Sequence, residues 1–168
     1  MNVLEDLEPQ VRALGAALRA RGWRLVTAES CTGGLIAACC TAVAGSSDWF
    51  ERGFVTYSNE AKTESLGVPA SLIGAHGAVS EAVARVMATG ALAHAHAQLA
   101  LAVTGIAGPG GAVPGKPVGT VWLAWAQADG HVGAELLHLP GDRGAVRAET
   151  VLRALERALA CCAAEPAP

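Results

Sequence analysis

Glu29-Ser30-Cys31-Thr32-Gly33-Gly34 joins a β-like run, Trp23 to Thr27, to an apolar helical run, Leu35 to Ala44. A strand that ends in a tight glycine-containing turn presents a side chain at the edge of a sheet. The first N–H groups of the helix behind it have no partner within that helix. Ser30 is thereby a candidate nucleophile, with backbone donors at Thr32, Gly33 and Gly34 to hold an oxyanion. The same residue types also describe an ordinary capped helix that uses glycine for close packing, so the rest of the chain decides.

Upstream, Leu4, Leu7, Val11, Leu14 and Leu18 recur at three and four residues, which predicts an opening amphipathic helix stopped near Gly22. Downstream, Gly53 to Tyr57 reads as a second strand, and Asn59 is placed to cap a short helix with Lys62 on its first turn. Tyr57 and Lys62 then share one strand-to-helix corner. Ser80 opens a long helix ending near His96, Leu99 to Thr104 is an apolar strand, and Gly105 to Pro117 is a loop rich in glycine and proline. Val118–Ala126 and His131–Leu139 flank Asp129-Gly130, which predicts an antiparallel hairpin with positive φ at both turn residues. Asp142 caps a last helix bearing Val151, Leu155, Leu159 and Cys162 on one face, and 165–168 is expected to fray. Helices alternating with early strands and a late hairpin predict an α/β fold, a three-layer α/β/α sandwich on a mixed, mostly parallel sheet. No linker, repeat or low-complexity block divides 1–168, so one domain is expected.

A chain of 168 residues with 52% hydrophobic and 16% charged residues can bury a core. Its mean hydropathy of +0.35 comes largely from alanine, and the longest nearly apolar run, Leu35 to Ala44, is half a membrane span. No membrane association is expected. The start MNVLEDLEPQ lacks the basic and apolar regions of a signal peptide, so the cytoplasm is the expected compartment. A net charge of −3 with dispersed arginines argues against a nucleic-acid partner. Five cysteines (Cys31, Cys39, Cys40, Cys161, Cys162) show no C-x-x-C spacing, so neither a disulfide frame nor a metal site is expected. The paired cysteines read as packing residues.

Gly110 to Pro117 nearly spells a phosphate-binding P-loop, but Pro117 has no hydroxyl for Mg²⁺ and a strand-like run follows where the motif needs a helix. Lys116 is left either solvated or touching substrate. A serine hydroxyl needs a base. None of His76, His94, His96, His131 and His138 has a recognisable catalytic setting, which leaves a Ser30–Lys62 arrangement. Lys62 would have to be neutral when it accepts the proton, a state that burial favours. Thr104 stands at a strand end on the same edge, where its hydroxyl could hold the lysine or a substrate amide. Arg143, on the first turn of the last helix, has the planar fork that suits a phosphate, with Arg147 one turn on as the alternative. Cys31 as nucleophile is the rival within enzymology, although no histidine partner is in evidence.

Six blocks occur in order: TAESCTGGLIA (27–37), AGSSDWFERGFVTYSNEAK (44–62), HGAVSE (76–81), TGIAGP (104–109), KPVGTVW (116–122) and GDRGAVR (141–147). Together they resemble the CinA carboxy-terminal family, and in particular its stand-alone members that deamidate nicotinamide mononucleotide. The resemblance runs from about Val26 to the last helix and lacks the additional amino-terminal domain of longer members. It implies a cofactor-independent amidase with Ser30 as nucleophile, Lys62 as base and Tyr57 as the active-site tyrosine, orienting the lysine or relaying a proton. Thr104 replaces the serine of many relatives. Thr32, Gly33, Gly34, Gly105 and Arg143 are the implied substrate contacts, nicotinamide mononucleotide the implied partner, and a homodimer the implied assembly, to which an exposed Trp49-Phe50 could contribute. The alternative is a nucleotide-binding or regulatory module of the same fold without catalysis.

Overall fold

The computed structural model describes residues 2–164; the fraying expected at 165–168 lies outside the described residues. The chain runs α1 (Val3–Asp6), α2 (Glu8–Arg21), β1 (Leu25–Glu29), α3 (Leu35–Thr41), a 3-10 turn (Ser46–Asp48), β2 (Phe50–Val55), α4 (Asn59–Leu66), α5 (Ala70–His76), α6 (Glu81–Ala93), β3 (Leu99–Gly105), β4 (Thr120–Gln127), β5 (Val132–His138) and α7 (Arg143–Ala163). One sheet has the order β2-β1-β3-β4-β5. The first three strands are parallel, and β4 and β5 join antiparallel. None of the described helices is long and apolar enough to cross a membrane.

Alternation along the strands decides which helices lie where. On β3, Leu99, Leu101 and Val103 face α2, α3 and α7, while Ala100 and Ala102 face α4, α5 and α6. The second face is paved with Ala28, Ala100, Ala102, Ala124 and Ala126, and α6 meets it with Ala84, Ala88 and Ala91. Small residues on both sides let that helix lie close to the sheet. At Gly90 the approach to α4 is so tight that a Cβ would collide with the Leu66 carbonyl oxygen.

Several boundaries differ from the sequence expectation for local reasons. The opening helix is two: Pro9 sits in the first turn of α2, so the chain restarts there, and Leu4 is left exposed. The first strand begins at Leu25 and reaches Glu29, and β2 pairs from Phe50 rather than Gly53. Ser58, not Asn59, caps α4, accepting from the Ala61 N–H at 3.0 Å. The short α5 was not anticipated. Of the turn pair Asp129-Gly130, only Gly130 has positive φ, +95°. Its N–H donates to the Gln127 carbonyl and the Gln127 N–H to the His131 carbonyl, so the hairpin closes through a three-residue loop ending in a glycine bulge. Trp49 is buried against Gly15 rather than exposed, which removes it as a docking aromatic.

Candidate active site

The chain leaves β1 over one face of the sheet to reach β2, and leaves β2 over the other face to reach β3. Connections that diverge from adjacent parallel strands open a crevice at their carboxyl ends. Ser30 follows β1 there and anchors its N–H on the Val103 carbonyl of β3 at 3.0 Å. Gly33 and Gly34 take φ of +61° and +95°, which lets the turn fold back under α3.

Lys62 lies one turn into α4 and is 1% exposed. Its Nζ donates to Ser30 Oγ at 3.0 Å and to the Thr56 carbonyl at 2.9 Å. Among the described residues no carboxylate pairs with it. Burial pushes its pKa below the ordinary lysine value, because an ammonium loses its hydration there; Cys31 opposes this to a lesser degree. Cys31 is itself buried, and desolvation pushes its thiol up to about 12, with Glu29 adding in the same direction. A thiol held protonated beside a lysine eased toward neutrality favours the hydroxyl over the sulfur as the reacting atom.

The remaining anticipated residues fall into two groups. Tyr57, Thr104, Gly105 and Arg143 line one cavity of about 180 Å³ together with Ser30, Cys31, Lys62 and Asn59. Thr32, Gly33 and Gly34 do not line it: the Thr32 hydroxyl turns inward to Glu29, and the Gly33 N–H donates to the Ser30 carbonyl at 3.1 Å. Neither Tyr57 nor Thr104 holds the lysine. The Thr104 hydroxyl donates to the Ala78 carbonyl at 2.9 Å. Tyr57, 63% exposed, accepts from Arg143 Nη2 at 3.0 Å, while Arg143 Nη1 donates to the Gly108 carbonyl at 2.9 Å. Arg147 instead donates to the Thr32 carbonyl at 3.0 Å. Lys116 donates to the His76 carbonyl at 3.0 Å, so it ties the glycine-rich loop to the end of α5.

Two participants escaped the sequence reading. The Thr56 carbonyl that orients Lys62 is backbone and has no residue signature. Glu29 is fully buried and takes the α3 N–H groups expected to face a ligand: Ile36 donates to it at 2.8 Å and Ala37 at 3.0 Å. An acid in the last position of a buried strand, just before the turn, was the available signal.

At about 180 Å³ the cavity is smaller than the ~300–1,000 Å³ usual for whole ligands, and Tyr57 and Arg143 stand exposed in its lining. Fold and site together define a mixed-sheet α/β protein with a small polar pocket at the carboxyl edge of its parallel strands, where a hydroxyl meets a buried amine. The chain belongs to the CinA C-terminal domain family, whose model matches residues 7–162. It is 53% identical over 153 residues to nicotinamide-nucleotide amidohydrolase PncC of Escherichia coli (strain K12), covering 91% of each chain. It is 54% identical over 146 residues to the protein of the same name from Enterobacter agglomerans, covering 87% of this chain and 89% of that one. Among solved structures, the competence/damage inducible protein CihA from Agrobacterium tumefaciens superposes with a TM-score of 0.90 at 46% identity, over 92% of this chain and 94% of that one.

Proposed function

We propose that this protein, as a single amidase domain, hydrolyses the carboxamide of nicotinamide mononucleotide to nicotinate mononucleotide and ammonia, without a cofactor, by a Ser–Lys acyl-enzyme route. The observation that carries the mechanism is the 3.0 Å contact between Ser30 Oγ and the buried amine of Lys62, which no carboxylate among the described residues neutralises. The substrate rests on the names of the curated relatives.

In its neutral form Lys62 has one lone pair for the Ser30 proton, while one of its N–H groups stays on the Thr56 carbonyl. Ser30 Oγ attacks the carboxamide carbon as that proton moves to Nζ. The ammonium then returns a proton to the departing nitrogen, and ammonia leaves an acyl-Ser30 ester. Water attacks the ester with Lys62 again as base, releasing the carboxylate and restoring the hydroxyl. The N–H groups first expected to hold the oxyanion fall away from the cavity, with Gly33 committed to the Ser30 carbonyl and Thr32 and Gly34 outside the lining. Tyr57 and Arg143 meet the ribose and phosphate at the rim, and Thr104 and Gly105 line the same cavity.

Family resemblance further supports a homodimer acting in the cytoplasm in pyridine nucleotide recycling. Ammonia release from nicotinamide, its riboside and its mononucleotide tests the reading, with Ser30→Ala and Lys62→Ala as controls. Turnover of the mononucleotide that both variants abolish is expected. No ammonia from any of the three would favour a regulatory module, and turnover surviving in Lys62→Ala would end the Ser–Lys assignment.

A further inference from the structure

Among the described residues Glu29 is the only fully buried carboxyl side chain, and no cation pairs with it. Its oxygens are filled by donors from within the catalytic turn and from the helix behind it. Oε1 accepts from the Thr32 hydroxyl at 2.7 Å and the Ile36 N–H at 2.8 Å; Oε2 accepts from the Ala37 N–H at 3.0 Å, with the Thr27 hydroxyl farther off at 3.4 Å. A helix is ordinarily capped by the residue at its own N-cap. That position in α3 is Gly34, which has no side chain to cap with. The cap comes instead from seven residues before Ile36, across the whole of Ser30–Gly34, so the carboxyl clamps both ends of the turn. Its main chain reaches the other partner: the Glu29 carbonyl accepts from the Thr56 N–H at 2.9 Å, and the Thr56 carbonyl accepts from Lys62 Nζ at 2.9 Å.

Resting on the Ser–Lys reading above, we infer that Glu29 is a positioning residue that holds Ser30 Oγ on Lys62 Nζ by closing the turn from inside. It touches neither substrate nor the reacting atoms. Glu29→Gln keeps the shape but replaces one acceptor by an NH₂ group. Whichever way that amide lies, a donor then faces a donor, at Ala37 or at Thr32 and Ile36, and the turn loosens.

A misplacement on the order of 1 Å costs about 100-fold in rate, so Glu29→Gln is expected to lower kcat by about that factor. KM should stay within about threefold, because the cavity walls are untouched. The pH at which kcat/KM rises should stay where it is, since the burial of Lys62 is unchanged. Sulfonylation of Ser30 by a sulfonyl fluoride, with loss of fluoride, should slow in step with kcat. Thr32→Val, which removes one tie and leaves the carboxyl, should show the same pattern to a smaller degree and serves if Glu29→Gln does not fold. Wild-type kcat in a folded but less stable Glu29→Gln, or in Thr32→Val should the first not fold, overturns the inference, as does a loss expressed in KM or as a shifted pH profile. Ser30→Ala separates the two claims: if it still turns over, the Ser–Lys reading has failed; if it is dead while Glu29→Gln is normal, only the role of Glu29 has.

Discussion

Replacing Lys62 by methionine should make the stability of the protein respond differently to pH, and this tests the state of the amine without a substrate. Burial lowers the pKa of Lys62 in the folded chain, whereas in the unfolded chain it sits near ~10.4. Between those two values the unfolded state binds more protons, so stability rises with pH across that window. It is most penalised below the folded pKa, and the penalty vanishes above the unfolded one. The slope is at most about 1.4 kcal/mol per pH unit. For a chain of this size that is roughly 3 to 6 °C of Tm per pH unit. Lys62→Met removes the ionisation while keeping a long side chain.

The five cysteines work in the opposite sense and must be cancelled. All are buried, and burial raises their thiol pKa values, to about 12 at Cys31 and about 11 at Cys39 and Cys161. Above the ~8.5 of an exposed thiol the unfolded chain loses protons that the folded chain keeps, so stability falls as pH rises there. The cysteines are common to both proteins, so the informative quantity is the difference in Tm between Lys62→Met and wild type. Loss of the donor to the buried Thr56 carbonyl subtracts about 1–3 kcal/mol from the variant at every pH, which displaces that difference without tilting it. Calorimetry at pH steps from 6 to 10.5 should show the variant losing ground to wild type as pH rises, over the same range in which wild-type kcat/KM increases. A difference that is flat, or that moves the other way, would mean that Lys62 is not a depressed amine, and the proton acceptor proposed for Ser30 would be lost.

With its thiol held up at about 12, Cys31 should resist iodoacetamide in the native protein at neutral pH, and Cys31→Ala should keep most activity. Rapid inactivation that the substitution abolishes would return the sulfur to the mechanism. Gly90→Ala should destabilise by about 1–3 kcal/mol through its collision with Leu66, despite the ~1 kcal/mol that alanine adds in an open helix. A Tm at or above wild type refutes this packing account. Arg143→Ala should raise KM for the mononucleotide by about 10- to 200-fold, the worth of a charge-assisted contact, with kcat and riboside hydrolysis nearly unchanged. Equal damage to both substrates would show that its bonds to Tyr57 and Gly108 matter more than a phosphate contact.

What was legible in the sequence is what side chains announce. Apolar periodicity places the strands and long helices, Ser80 and Asp142 cap where they should, and a strand-turn-helix element brings Ser30 to the edge where Lys62 arrives. Boundaries slipped where two adjacent residues can do one job, as Ser58 and Asn59 can, or where a helix is as short as Ala70–His76 with a glycine inside it. The hairpin reading erred in geometry: Asp129-Gly130 suits a two-residue turn, but the longer loop needs positive φ only at its last residue, where Gly130 stands.

The site was misread at one point because a helix N-terminus was credited with free donors. Which N–H groups are free depends on what is buried beside them, and here a carboxyl from the preceding strand occupies those of Ile36 and Ala37. That assignment changes what the turn can be for. With its helix amides spent internally and Arg147 bonded to the Thr32 carbonyl, the Ser30–Gly34 segment has little capacity left to grip a phosphate. We therefore assign the phosphate of the proposed substrate to Arg143, which stands exposed in the cavity lining. The turn is left to hold one hydroxyl against one amine.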